Sequence, residues 1–193
     1  TLDEIPCGVC GTLDQYVPGG DYVVIKFARW AFEKFKDSQD RLGTQMRAVG
    51  EVMSIGKTYK EAFQKAVRSL EIGRYGLGFA GDYHERSKEE LLALLAYPTS
   101  ERQFIMYEAL RKGASVEELY ELTKIKHYFI EQMKELVEEE EQLIAEKGRV
   151  PAKKVLEQAK KDGFADRYLS KILEVPEEEI RRTRIGYGIT ESW

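Results

Sequence analysis

A chain of 193 residues, 42% of them hydrophobic, is long enough for one large domain or two small ones with a core. Lys and Arg number 30 against 34 Asp and Glu, giving a net charge of −4, so the high charged content leaves no polybasic footprint for nucleic acid or an anionic membrane. No apolar run approaches the roughly 18 residues of a membrane-spanning helix, and the amino end has no signal-peptide pattern, so a cytoplasmic location is expected. The chain opens at Thr1 on LDEI without an initiator Met, as a piece of a longer protein would.

In chain order, the first motif is CGVC, Cys7 to Cys10, with the spacing of a redox dithiol or half of a zinc site. Structural zinc needs four ligands, and His84 and His127 stand far off without paired spacing. The motif runs into Gly11 and a VPGG turn rather than opening a helix, so the pair reads as loop cysteines without a metal.

DYVVIKF, Asp21 to Phe27, is rich in β-branched and aromatic residues and predicts a strand. RWAFEKF, Arg29 to Phe35, spaces its aromatics irregularly and is expected to be an extended or looped connection. The run TQMRAVGEVMSIG, Thr44 to Gly56, places Glu51 among Gly50, Val52, Met53 and Ile55. An ionised carboxylate is costly to bury unpaired, so Glu51 belongs either on an exposed strand face or against something polar. Next, Tyr59, Phe63, Ala66, Val67 and Leu70 form the stripe of an amphipathic helix that starts near Thr58 and stops at Gly73. Gly73, Gly76, Gly78 and Gly81 then interrupt aromatic residues and read as a linker; no Lys-Ser/Thr follows to make them a phosphate cradle.

Beyond Ser87 the pattern is helical throughout. Ser87 with Glu90, and Ser115 with Glu118, have capping-box spacing. Helices are predicted from Ser87 to before Pro98, from about Ser100 to Gly113, over Val116–Leu122, over about 126–147, from Pro151 to Asp162, over Ala165–Leu173 and over Pro176–Arg184. Glu138 to Glu141 cannot converge on a metal, since successive helical residues point about 100° apart, and they read as a solvated face. The fold expected is mainly α, with a small α/β amino-terminal segment, residues 1–72, a linker, 73–81, and an all-α domain, 82–193.

Residues 163–184 have the outline of a helix-turn-helix around Val175 and Pro176. Its second helix opens on Glu177, Glu178 and Glu179, which would face phosphates, while Arg181, Arg182 and Arg184 come late, so structural packing is the better reading.

TQMRAVGEVMSIG with TYKEAFQKAVRSLEIG resembles the closing segment of an ATP-grasp domain in the large subunit of carbamoyl-phosphate synthetase. RKGASVEELYELTKIKHYFIEQMKELVEEE, KKDGFADRYLSK and VPEEEIRRTR resemble the helical oligomerisation domain that follows the first such unit. The amino-terminal stretch departs from the family pattern at CGVCGTLDQYVPGG and at Ala28, a position frequently Pro.

The resemblance implies a fragment of a ligase that makes carbamoyl phosphate from bicarbonate, glutamine-derived ammonia and ATP, for arginine and pyrimidine synthesis. Residues 1–72 would close the carboxyphosphate-forming domain. ATP and Mg or Mn, with K as a further candidate, would serve the complete enzyme, but the residues that hold them lie upstream of Thr1. The segment alone is therefore expected to have no catalytic, cofactor or metal residues and no activity. Its implied partners are the remainder of the large subunit, the glutaminase small subunit and a second copy through the helical domain, without nucleic acid or membrane. Glu51 of GEVM is the residue the resemblance gives a role, lining the route by which carbamate travels between two phosphorylation sites; a partly buried Glu with a raised pKa would suit it. Leu91, Leu92, Leu95 and Tyr97 are the assembly candidates. The alternative is an independent all-α module for protein or nucleic-acid interaction.

Overall fold

Three helices begin on the same local device, because a Ser or Thr side chain can accept from the otherwise unpaired amides of a first turn. Thr58 accepts from the Glu61 amide at the start of α1, Tyr59–Ser69. Ser87 opens α2, Lys88–Leu95, and Ser115 opens α4, Val116–Thr123, each with the full reciprocal box through Glu90 and Glu118. Lys88 pairs with Glu118 at 2.8 Å, joining α2 to α4. That Lys88 contact, with the Ser115 amide and hydroxyl, holds the Glu118 carboxyl down at about 2. The computed structural model describes residues 1–17, 19–30, 32, 39–79 and 81–190, with the backbone alone at Asp82.

Two short strands, β1 (Pro6–Cys7) and β2 (Gly11–Thr12), form a tight antiparallel hairpin. A second hairpin pairs β3, Val23–Trp30, with β4, Ala48–Gly56, in a register that sets Ala28 opposite Glu51 and Lys26 opposite Met53. Arg29 and Trp30, expected in an extended or looped connection, are extended and continue β3; Ala31 and residues 33–35 lie outside the described residues. The remaining helices are α3 (Arg102–Arg111), α5 (His127–Ile144), α6 (Lys153–Lys161), α7 (Asp166–Leu173) and α8 (Glu177–Gly186). The chain is mainly α with a small α/β segment, as expected.

α1 lies on the inner face of the second hairpin. Alternation turns Ile25, Phe27 and Ser54 toward it, where Ser54 donates to the Ala62 carbonyl at 2.6 Å and Phe27 stacks on Phe63 at 5.8 Å. A Cβ on Gly56 would stand 2.7 Å from the Ala62 amide nitrogen, so the close approach of strand and helix requires glycine. Tyr59 carries the stacking onward, 5.4 Å from Phe63 and 5.3 Å from Phe129 of α5. Phe63 and Val67 are buried in the same cluster as Leu91, Phe104, Leu119, Leu136, Leu156, Leu169 and Ile180, each contributing about 1.5–3 kcal/mol by leaving water. One core therefore runs from α1 to α8.

The glycine-rich stretch is packed into that core rather than strung between bodies. Leu77 is buried, and a Cβ on Gly76 would stand 2.6 Å from the Tyr168 ring. The glycines serve close contact: without side chains the backbone lies flat on an aromatic face.

Candidate functional site

Glu51 lies on the outer face of β4, away from α1. Its carboxylate pairs with Lys26 of β3 at 2.9 Å, with side chains 60% and 64% exposed. It is thus exposed in this chain rather than partly buried, since alternation along β4 sends Ser54 inward and Val49, Glu51, Met53 and Ile55 outward. Val24 of β3 joins them. The result is an apolar sheet face crossed by one ion pair. A pair so exposed adds at most ~1 kcal/mol to folding, so its significance is the polarity it gives that face.

Between β3 and the bundle runs a cleft of about 450 Å³. Phe27, Tyr59, Phe63, Met106 and Phe129 form its apolar wall, and Lys26, Ser100, Arg102 and Gln103 its polar rim. Thr99 Oγ1 on the same wall is buried and has no hydrogen-bond partner among the described residues.

Of the four assembly candidates, Leu91 and Leu95 are buried in the core of the bundle and offer no outer surface. Leu92 is partly buried against that core, and Tyr97 alone is well exposed, with the Arg41 guanidinium 5.2 Å from its ring centre. The physical reason is the pitch of α2: residues 91 and 95 are one turn apart on the face that its capping box fixes inward.

The most elaborate polar structure is one the sequence did not announce. Glu140, assigned to a solvated face, is fully buried in α5 and accepts from Tyr107 (2.5 Å), Tyr168 (2.8 Å) and Arg111 Nη2 (2.8 Å). Glu108, also fully buried, accepts from Arg111 Nε at 3.1 Å and from the Phe79 amide at 2.7 Å, with His84 Nδ1 3.2 Å away. Arg111 is shared further with Glu141. Burial pushes the Glu140 carboxyl upward against the opposing pull of Arg111 and the two hydroxyls. Tyr107 and Tyr168 are pushed well above the usual phenol range, burial first and the Glu140 charge second. This cluster fastens residues 78–79 to α3, α5 and α7. A signal was present: Glu140 falls on the Met133, Leu136, Val137, Leu143 stripe.

At the carboxyl end, α7 and α8 close on each other through Asp166, which receives Lys160 at 2.8 Å and Arg184 at 2.7 Å. Burial raises the Asp166 carboxyl, but those hydrogen bonds outweigh it and leave it lowered. Ile180 is buried. Arg184 thus serves internal packing.

A model of the carbamoyl-phosphate synthetase large chain, oligomerisation domain, matches residues 51–188. This chain belongs to the carbamoyl-phosphate synthetase large-chain family. It is 50% identical to the carbamoyl phosphate synthase large chain of Archaeoglobus fulgidus over 98% of this chain and 18% of that protein. The N-terminal section of the large chain from Methanopyrus kandleri is 40% identical over all of this chain and 36% of its own length. The arginine-specific, chloroplastic large chain of Arabidopsis thaliana is 40% identical, again over the whole chain and 16% of the relative. The chain therefore spans only about a sixth to a third of these relatives. The family match begins at Glu51 itself, so it takes in β4 and α1 as well as the helices from α2 on.

Among the described residues no three His, Cys, Asp or Glu side chains gather as a metal would need. The one carboxylate of the GEVM motif is already paired with Lys26. No helix among the described residues is long and apolar enough to cross a membrane.

Proposed function

We propose that this chain is the part of a carbamoyl-phosphate synthase large subunit that joins the end of the first, carboxyphosphate-forming ATP-grasp domain, residues 1–72, to the oligomerisation domain, residues 82–193. The observation that carries the reading is the family match starting at Glu51 and running through the bundle, with α1 packed on both hairpin and helices. The whole enzyme would use ATP, a divalent cation, bicarbonate and glutamine-derived ammonia in the cytoplasm, for arginine and pyrimidine synthesis, with a glutaminase subunit as partner. This segment alone supplies no ATP site and is inactive.

Two roles fall to it. The outer face of the β3–β4 hairpin is the surface that the rest of the ATP-grasp sheet covers, for a two-stranded sheet is marginal alone and this one leaves Val24, Met53 and Ile55 bare. On that face Glu51 lines the carbamate route. With Lys26 beside it, the carboxylate offers polarity without a net charge that would trap or repel an anion.

The second role is assembly. Tyr97, just past the end of α2, and Leu92, partly buried on it, are the candidate contacts that remain with Leu91 and Leu95 buried. Sedimentation velocity over a range of concentrations tests this. The chain self-associates and Tyr97→Glu weakens association about ten-fold, about 1.4 kcal/mol, by placing a charge in a desolvated contact. A wild-type chain monomeric throughout, or a variant indistinguishable from it, removes the role.

A further inference from the structure

The CGVC turn is not absorbed by this function, and its geometry is specific. β1 and β2 pair Cys7 with Gly11, so the connection is the three residues Gly8, Val9 and Cys10, with Gly11 at φ +80°, a backbone conformation that suits glycine, closing it. This folds Cys10 back over Cys7. The Cys10 thiol donates to Cys7 Sγ at 2.6 Å, with a second contact to the Thr12 carbonyl at 3.4 Å. Both thiols are half-buried, while Val9 at the tip is open to solvent, so a small molecule reaches the sulfurs from outside.

The two sulfurs are unequal. Cys7 receives the Cys10 thiol and the Val9 and Cys10 amides, which together lower it below an ordinary thiol; Cys10, as the donor, is raised. Amides at the turn do here what a helix amino terminus does elsewhere. Among the described residues no third metal ligand stands near, so four-ligand zinc has no basis.

We infer that Cys7 and Cys10 form a reversible dithiol–disulfide site, with Cys7 attacking and Cys10 resolving, whose reaction partner is a low-molecular-weight disulfide such as oxidised glutathione. The Cys7 thiolate attacks one sulfur of the disulfide; that S–S bond breaks and one glutathione thiolate leaves. Cys10 gives up its proton and attacks the Cys7 sulfur of the mixed disulfide, expelling the second glutathione. The protein loses two protons and two electrons, and one glutathione disulfide becomes two thiols. The hairpin already holds the sulfurs in contact, so ring closure needs no strand to move.

Intact-mass spectrometry of the full chain after exposure to oxidised glutathione at neutral pH tests the assignment. The wild type becomes two hydrogens lighter as a monomer, Cys10→Ser stops at one glutathione adduct on Cys7, and Cys7→Ser reacts about ten-fold more slowly. Competitive iodoacetamide labelling of the reduced wild type, which needs no variant, places the faster modification on Cys7. Persistent free thiols, disulfide-linked dimers, or adducts on both cysteines overturn the site. Faster labelling at Cys10 overturns the assigned order.

Discussion

Replacing Arg111 with Met isolates what the buried cluster contributes. Arg111 is 6% exposed at its side chain and is the cation shared by Glu108 and Glu140, both at 0%. Met fills much of the aliphatic volume but leaves the two carboxylates facing each other across the gap. Removing one partner from a buried pair costs about 3–5 kcal/mol, because the remaining charge loses its compensation. Tyr107, Tyr168 and the Phe79 amide still donate, which keeps the loss toward the lower end rather than doubling it. A loss of about 3–4 kcal/mol is expected, a large fraction of the roughly 5–15 kcal/mol of a typical domain. Urea unfolding followed by far-ultraviolet circular dichroism reads it as a lower midpoint at unchanged slope. Adding Glu140→Gln to Arg111→Met should restore about 1–2 kcal/mol, since the amide oxygen still accepts from one tyrosine and the amide NH2 donates to the hydroxyl of the other, while the stranded charge is gone. An Arg111→Met loss below about 1 kcal/mol, or a double variant weaker than the single, refutes the account of the cluster.

Glu139 gives a pH dependence. Burial, then the Asp162 charge and a hydrogen bond to it, push its carboxyl up to about 8, against the pull of Lys60. A carboxyl raised on folding is bound to its proton in the native state, so the stability it contributes is whole below the unfolded value near 4.5 and falls as pH rises through about 8. After allowance for solvent screening, about 1–2 kcal/mol should disappear across that window, and Glu139→Gln should flatten the curve. A wild-type profile that rises from pH 5 to 8 contradicts the sign. For the isolated chain, calorimetric titration with magnesium and ATP should give no heat of binding; a clear micromolar isotherm would falsify the assignment of the nucleotide site to other parts of the subunit.

Element boundaries were legible where the determinants are local. Ser87, Ser115 and Thr58 announced their helices because a cap needs only residues three positions away, and Gly113, Gly148 and Gly163 ended theirs with positive φ. What depends on distant partners was not legible. Glu140 looks like its three neighbours until Tyr107, Tyr168 and Arg111 arrive from α3 and α7, and Gly76 looks like a linker residue until the Tyr168 ring is laid on it. Leu91 and Leu95 read as equivalent to Leu92 in sequence, yet the helix turns them to the core. Glu51 was singled out by its apolar neighbours, but alternation along β4 shows the neighbours to be divided between two faces.

The glutamate on the hairpin face is tested most directly in the whole enzyme. In the complete large subunit with its glutaminase partner, the ratio of ATP hydrolysed to carbamoyl phosphate formed should be measured for wild type, Glu51→Ala and Glu51→Lys. Bicarbonate-dependent ATP hydrolysis is expected to persist in both variants while carbamoyl phosphate formation falls. The loss should be larger for Lys, which places a second cation beside Lys26 and traps the anion in transit. Coupling unchanged from wild type in both variants would contradict the role of Glu51 on the carbamate route.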